Sequence, residues 1–246
     1  MTTEYKSFSE ELRLRSQAMH DKSDKLVNLK LAVALTNTKL YGTVLRDFYC
    51  IYEAIENQVK KYQMDNQLIH EIWLPEMSRT VAFEKDLDYY LGVGWKKSVV
   101  PSEAAQLYTA HIYSVVDKEP ELLVAYIHTM YLAILSGGYI IKKLVVNTLG
   151  IRGTDGGVAA FDFPEDVFRV KLKNHIKNSI DVMDIDRDLK DRMVAEKIMI
   201  FRKNNEIVAS IKPTLSSGAR IFKFVSLLAG TVMLICYTYS KFTSGN

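Results

Sequence analysis

One histidine of this chain is placed where it could bind a metal ion. His20 lies in a stretch with helical periodicity, and Asp24 follows it one turn later. Residues four apart share a helix face, so the Asp24 carboxylate could orient the imidazole, as metal-ligating histidines require. The same spacing suits a structural pair, and the residues alone leave both interpretations open. The other histidines lack zinc-ligand spacing and are His70, His111, His128 and His175.

Two adjacent glycines, Gly137 and Gly138, are the second feature that could serve chemistry. They interrupt an apolar run over 119–143 that otherwise predicts one helix. Each glycine in a helix interior costs about 1 kcal/mol relative to alanine, so the pair favours either a bend or close approach of the backbone to a flat ligand. The alternative is that Leu-Ser-Gly-Gly ends a helix, with glycine at the C′ position. Local sequence does not decide between them.

The signatures of several common enzyme classes are absent from the sequence. It has no Walker loop, no Rossmann glycine pattern, no Gly-x-Ser-x-Gly elbow and no Cys-x-x-Cys. A net charge of +3 is too small to indicate nucleic-acid binding. Cys50 and Cys236 lie far apart in unlike contexts, which predicts reduced thiols and not a disulfide.

The elements that must position these residues are helices. Helical periodicity runs through nearly the whole chain without lasting strand-like alternation, which predicts an all-α fold. Ser9 is the predicted N-cap of a first helix that continues past His20 toward Asp24. Further helices are predicted over 38–63, 75–90, 101–116, 120–149, 166–181 and 187–211.

The C-terminal part of the sequence has a different character. Residues 224–240 carry no formal charge and are just long enough for a spanning helix. Tyr237 and Tyr239 suit a membrane interface, and Arg220 and Lys223 suit its cytosolic side. A buried final helix is the alternative, but the linker-like stretch before it favours a tail anchor. The predicted organisation is a helical domain over 1–211, a linker over 212–223, an anchor over 224–240 and a short lumenal tail over 241–246.

Several sequence blocks, in order along the chain, carry a family resemblance. The distal block joins 119–125 to Tyr131-Leu132 and Leu135-Ser-Gly-Gly138, and a middle block runs over 74–95. The remaining blocks are Ser9-Glu10 with His20, Ile51-Tyr-Glu-Ala-Ile-Glu56, and Phe161-Asp-Phe-Pro164. Over about residues 8 to 211 the chain resembles a heme oxygenase of the tail-anchored animal type.

The resemblance implies one all-helical domain that holds heme between a proximal and a distal helix. His20 is then the axial iron ligand, Asp24 its hydrogen-bonding partner, and Gly137, Gly138 and Ser136 belong to the distal catalytic segment. Heme is both cofactor and substrate, and with dioxygen it is converted to biliverdin, carbon monoxide and ferrous iron. Electrons are expected from an NADPH-dependent cytochrome reductase at the cytoplasmic face of the endoplasmic reticulum membrane, and a biliverdin reductase is a possible downstream partner.

The chain departs from the family pattern in the distal segment. Ile134 stands where the family has an aspartate that anchors a water network, Ala133 replaces a glycine, and Met130 replaces an arginine. Buried polar networks work as connected units, so three losses predict a slow heme oxygenase with relaxed choice of meso carbon. The alternatives are a heme sensor, storage or delivery protein with little or no heme degradation, and a helical scaffold without heme.

The expected contacts to the heme propionates are altered as well. Arg13 stands in place of a lysine, and Gln17 occupies the next basic position. His128 replaces a tyrosine and could still donate a hydrogen bond. Lys171 and Lys173 are the nearest cations on the later helix, where a solvated helix face explains them equally well.

Overall fold

A computed structural model describes residues 5–151, 156–163 and 166–212. Within these ranges the chain is helical and contains no strand, as the periodicity predicts. The α-helices are α1 (Phe8–Arg15), α2 (Gln17–Ala34), α3 (Thr38–Tyr62), α4 (Gln67–Ile72), α5 (Thr80–Leu91), α6 (Trp95–Ser98), α7 (Glu103–Val116), α8 (Leu123–Tyr126), α9 (Leu132–Leu149), α10 (Asp166–Asp181) and α11 (Arg187–Ala209). Short 3-10 segments cover Pro75–Met77, Pro120–Leu122 and Ala159–Phe161.

The start of the first helix differs from the prediction. Ser7, not Ser9, is the N-cap of α1, and its hydroxyl accepts from the Glu10 amide. The Ser9 amide and hydroxyl instead donate to the Asp181 carboxylate of α10, at 2.7 and 3.0 Å. The prediction of Ser9 as the cap is therefore wrong, because a partner distant in sequence engages that side chain.

The predicted continuous first helix is also divided in two. Its break lies at Ser16, whose hydroxyl donates back to the Leu12 carbonyl at 2.7 Å. Such back-bonding competes with the helical hydrogen bonds and bends helices. As a result His20 lies in the first part of a separate helix, α2.

The central helix α3 carries much of the core. Leu45, Ile51 and Ile55 on its predicted apolar face are buried. Near its start, a Cβ on Gly42 would lie 2.8 Å from the side chains of Tyr90 and Leu91 on α5. Glycine at this position therefore permits the close approach of α3 and α5.

The stretch Pro120–Leu149 is helical throughout but not uniformly α-helical. Residues Ile127–Tyr131 form a π-helical segment between α8 and α9, and π-bulges of this kind are frequent at functional sites. The chain continues as α-helix through Gly137 and Gly138 to Leu149, so the glycine pair does not end a helix. By length and composition the whole stretch could cross a membrane, but 61% of its most apolar window is buried inside the protein, which makes it a core helix.

Helix α2, which carries His20, and helix α9, which carries the glycine pair, have different packing partners. Helix α2 packs against α11 and α3, whereas α9 packs against α10, the π segment and Ala159–Phe161. Cys50 is a free thiol. The predicted tail anchor, most of the linker, Cys236 and Pro164 lie outside the described residues.

Candidate functional site

His20 presents its imidazole on the outside of α2. Its side chain is 48% exposed, and its Nδ1 lies 3.4 Å from the Asp24 Oδ2. A second carboxylate, that of Asp21, lies 3.7 Å from the same nitrogen. On its other side the ring meets the edge of Phe201 from α11, with ring centroids 5.6 Å apart. The predicted juxtaposition of His20 and Asp24 is thus present, and the imidazole remains accessible.

The glycine pair occupies two different environments on α9. A Cβ on Gly138 would lie 3.4 Å from Phe161 and 3.5 Å from Ile134, so this glycine packs against side chains of the protein interior. A Cβ on Gly137 would meet nothing within 4 Å. Ser136 and Ala133 are exposed near it. The open side of the pair is therefore a smooth surface of small residues against which a planar group could lie.

The buried carboxylate of Asp86 positions Phe161, whose ring packs against Gly138. Asp86 of α5 accepts hydrogen bonds from the amides of Ala159 and Ala160 at 2.7 and 2.8 Å. Burial raises the pKa of Asp86 to about 6, against the opposing effect of these amides. By capping this 3-10 turn, Asp86 fixes the position of Phe161, a role that sequence reasoning missed.

The distal segment around Ile134 is apolar and tightly enclosed. Ile134 and Met130 are 5% and 4% exposed. The Asn204 amide donates to the Met130 sulfur at 3.3 Å, and the Tyr52 hydroxyl donates to the Met130 carbonyl at 2.9 Å. Tyr52 is therefore engaged with the backbone, and neither Ile134 nor Met130 carries a side-chain proton donor.

His128 lies in the π segment and is buried against a lysine. Its Nδ1 is 3.1 Å from the Nζ of Lys197 on α11. When the ammonium donates to Nδ1, the ring proton lies on Nε2, so His128 keeps the donor that sequence analysis expected of it. Lys197 was missed, because nothing in the sequence relates it to a residue 69 positions earlier.

The other predicted cofactor contacts are at the surface. Arg13 of α1 is exposed, and the Gln17 amide donates to Asp21 at 2.7 Å. Lys171 is exposed and Lys173 half-buried on α10. Another lysine of that helix, Lys177, influences His128 electrostatically. The propionate contacts predicted for Lys171 and Lys173 stay predictions.

Comparison with known proteins identifies the family. A family model described as heme oxygenase matches residues 6–210. Heme oxygenase 1 of Synechocystis is 32% identical over 187 residues, covering 76% of this chain and 77% of that protein. Heme oxygenase 1 of Gallus gallus is 30% identical, covering 85% of this chain and 71% of that protein.

The fold agrees with this assignment. The crystal structure of Synechocystis heme oxygenase-2 in complex with heme and NO superposes with a TM-score of 0.77 at 26% identity, covering 83% of this chain and 85% of that one. Fold, order of elements and sequence therefore lead to one conclusion: the chain belongs to the heme oxygenase family.

Proposed function

We propose that this protein binds heme and cleaves it oxidatively to biliverdin, carbon monoxide and ferrous iron. The observation that carries the proposal is an accessible His20, paired with Asp24, in a chain whose family and fold are those of heme oxygenases. Bound heme supplies the iron at which dioxygen is activated and the porphyrin that is oxidised. We further propose that the protein is a tail-anchored enzyme of the animal type.

The residues present fit an iron porphyrin. The exposed His20 imidazole provides a nitrogen ligand, and the Asp24 carboxylate 3.4 Å from its Nδ1 can hold the ring in one orientation. The open surface at Gly137 accommodates a flat macrocycle, while Phe161 supports the helix from behind at Gly138. These residues bind and orient the ligand.

The apolar distal segment predicts how the reaction is controlled. Ile134 has no hydrogen-bonding group, and the weakly accepting sulfur of Met130 already receives the Asn204 amide, so these side chains cannot anchor a chain of ordered water molecules beside the iron. Without such a network, proton delivery is slow and hydrogen bonds do not select one meso carbon. We therefore propose a slow enzyme that releases more than one biliverdin isomer.

The decisive experiment is reconstitution with hemin followed by aerobic turnover with an NADPH-dependent cytochrome reductase. Loss of the Soret band with release of carbon monoxide and biliverdin supports the proposal. Chromatography of the products then tests selectivity. A single, rapidly formed isomer would contradict the relaxed choice of meso carbon while leaving heme cleavage intact.

A heme sensor, storage or delivery protein is the second candidate function. The apolar side chains of Ile134 and Met130, both nearly buried, favour it, because they offer no proton donor to the reaction that cleaves heme. In the turnover experiment such a protein would retain its Soret band and yield no biliverdin. A helical scaffold without heme would show no saturable hemin binding at all.

We also propose that the C-terminal stretch attaches the protein to a membrane. The uncharged stretch 224–240 with its flanking tyrosines and basic residues supports a C-terminal anchor in the endoplasmic reticulum membrane, with the helical domain on the cytoplasmic side near its reductase. A fluorescent protein fused to residues 212–246 should resist alkaline extraction from membranes. Extraction into the soluble fraction would contradict the anchor.

A further inference from the structure

The loop between α5 and α7 holds two apolar side chains in solvent. Val93 and Val100 are 94% and 77% exposed. Val93 is the tip of a turn whose flanking glycines, Gly92 and Gly94, have φ values of 83° and 89°, a backbone conformation that favours glycine. The turn therefore presents a β-branched apolar residue outward.

This loop, residues 92–101, is anchored in the core of the protein. Trp95, which is 4% exposed, packs edge-on against Tyr49 of α3 with ring centroids 5.1 Å apart. Toward the end of the loop, the buried Arg46 guanidinium donates a hydrogen bond to the Val100 carbonyl. Because both parts of the loop are held by α3, the exposure of the two valines is a feature of the fold.

The loop lies at the end of the bundle where the described chain leaves it. A Cβ on Gly42, near the start of α3, would lie 2.8 Å from Leu91 at the end of α5, directly before the loop. Lys30, near the end of α2, donates to the Ile211 carbonyl just after α11, at 2.6 Å. Since α2 leads directly into the start of α3, loop 92–101 and the end of α11 lie at the same end, here called the exit end.

Charge distinguishes the exit end from the opposite end of the bundle. The exposed lysines at the exit end are Lys39, Lys96, Lys97 and Lys212. Two exposed acidic residues, Asp88 and Glu103, also lie there. The exposed carboxylates at the opposite end are Asp65, Asp117, Asp184, Asp186 and Asp188. Because Lys61 and Arg192 at that end are already paired with carboxylates, an anionic surface is attracted more strongly to the exit end.

The length of the connection to the proposed anchor also favours the exit end. The anchor begins at residue 224, so residues 212–223 must join it to the bundle. Fully extended, this connection reaches at most about 40 Å. Helix α3, with 25 residues, is about 37 Å long, so the opposite end could face the bilayer only with the connection fully stretched. The exit end is therefore the one that meets the membrane of an anchored chain.

We propose that the exit end lies on an anionic membrane surface, with Val93 and Val100 inserted at the level of the lipid headgroups. The exposed lysines around them pair with the lipid anions, because lysine stems follow an apolar boundary while the ammonium stays in the polar layer. This inference rests on the proposed anchor for the side on which the bilayer lies. It adds a second membrane contact, which fixes the orientation of the helical domain on the bilayer.

The test uses the full chain reconstituted into phosphatidylcholine vesicles with and without phosphatidylserine. The native thiols are removed by Cys50→Ala and Cys236→Ala, and a nitrobenzoxadiazole fluorophore is attached to Val93→Cys. In vesicles with phosphatidylserine, this label should emit at shorter wavelength and be quenched by lipids brominated on their acyl chains. The matched control is a label on Met64→Cys, which is 80% exposed just beyond the opposite end of α3 and should stay unquenched.

A second pair of variants tests the role of the lysines. Lys96→Gln combined with Lys97→Gln should lower the quenching of the Val93 label in anionic vesicles several-fold, because both charges face the headgroups in the proposed orientation. Lys60→Gln combined with Lys61→Gln removes two consecutive exposed lysines from the opposite end and should leave the quenching unchanged.

Each other outcome would overturn the inference in a recognisable way. A chain that floats with the vesicles while the Val93 and Met64 labels behave alike would refute the orientation and leave the proposed anchor intact. Equal quenching of the Val93 label with and without phosphatidylserine would refute the anionic surface. A shift that requires the reductase or a second copy of the chain, and not lipid, would assign the exit end to a protein contact. A chain that does not float with vesicles would refute the anchor and the inference together.

Discussion

At the scale of single residues, the proposed heme chemistry depends on what His20 and Ile134 can offer. His20 supplies an accessible nitrogen whose orientation is set by Asp24 at 3.4 Å. Ile134 supplies only an apolar wall, 5% exposed, in a segment where its neighbour Met130 is equally apolar. In the proposed site, the side formed by His20 can thus bind iron, and the side formed by Ile134 is poor in proton donors.

Replacing His20 by alanine should abolish the histidine-ligated spectrum of the hemin complex, because α2 then offers no nitrogen to the iron. Added imidazole should restore it, since the space left by the side chain admits the free ligand. His70→Ala, at an exposed position on α4, is the matched control and should leave the spectrum unchanged. An unaltered spectrum in His20→Ala would mean that another residue binds the iron.

Replacing Ile134 by aspartate should raise the turnover rate, because a carboxylate beside the iron can anchor water and relay protons. A gain of about 100-fold, the lower end of what general acid–base assistance contributes, is expected, together with a narrower set of biliverdin isomers. Ile134→Leu keeps the site apolar and should behave like the wild type. If Ile134→Asp only weakens hemin binding, the distal segment does not face the iron.

At the scale of elements, one buried carboxylate ties three helical segments together. Glu56 of α3 accepts from the Ser78 hydroxyl at 2.5 Å, the Arg79 amide at 2.6 Å and the Thr80 hydroxyl at 2.5 Å. These groups form the beginning of α5, where Arg79 provides no side-chain cap. The Tyr131 hydroxyl of the π segment donates to the same carboxylate at 3.1 Å, so Glu56 fixes the distal segment relative to α3 and α5.

Replacing Glu56 by glutamine should lower the free energy of unfolding by about 2–3 kcal/mol, since the amide keeps one acceptor and turns a donor toward other donors. Urea unfolding followed by circular dichroism measures this loss. Glu53→Gln, one turn earlier, removes the charge from a carboxylate bound by the Tyr49 hydroxyl at 2.5 Å, and should cost less than about 1 kcal/mol. Equal effects of the two variants would contradict the capping role of Glu56.

At the scale of the whole molecule, the described helices bury both a lysine and several tyrosines. Burial lowers the pKa of Lys197 to about 7. Burial likewise raises the pKa of tyrosines spread over α3, α7, α8 and the π segment, namely Tyr41, Tyr52, Tyr108, Tyr126 and Tyr131. As the pH rises, the titration of Lys197 increases the free energy of unfolding, whereas the titration of the tyrosines lowers it.

Between pH 7 and about 10.4, the usual lysine pKa, Lys197 is protonated in the unfolded chain and increasingly neutral in the folded one. The unfolded state then binds more protons, so the stability of the heme-free protein should rise with pH in this window. The contribution is about 2 kcal/mol between pH 7 and 9. Above about pH 10 the tyrosines ionise only in the unfolded state, and stability should fall again.

Urea unfolding of the heme-free protein at pH 7, 8 and 9 checks this dependence. Lys197→Met should lack the rise that the wild type shows, and Lys190→Met should retain it. A rise of the same size in Lys197→Met would assign the titration to a different group.

Much of the fold could be predicted from the sequence, because helices are specified by local patterns. Three helices lie close to their predicted ranges, because apolar periodicity acts within a few residues: Thr38–Tyr62, Glu103–Val116 and Arg187–Ala209. Ser9 was assigned wrongly because its partner, Asp181, comes from α10. The proximity of His20 and Asp24 was likewise predictable, since one helix turn sets it.

What the sequence by itself determined is therefore the all-helical class, the family pattern and the paired residues within one helix. Only the tertiary structure decided which distant side chains meet: Lys197 with His128, Phe161 behind Gly138, and Glu56 at the start of α5. The physical reason is that contacts within a helix follow from its periodicity, whereas contacts between helices depend on how whole surfaces pack. The same glycine pair that local sequence left ambiguous became a continuous helix with one open and one supported side once its neighbours were in place.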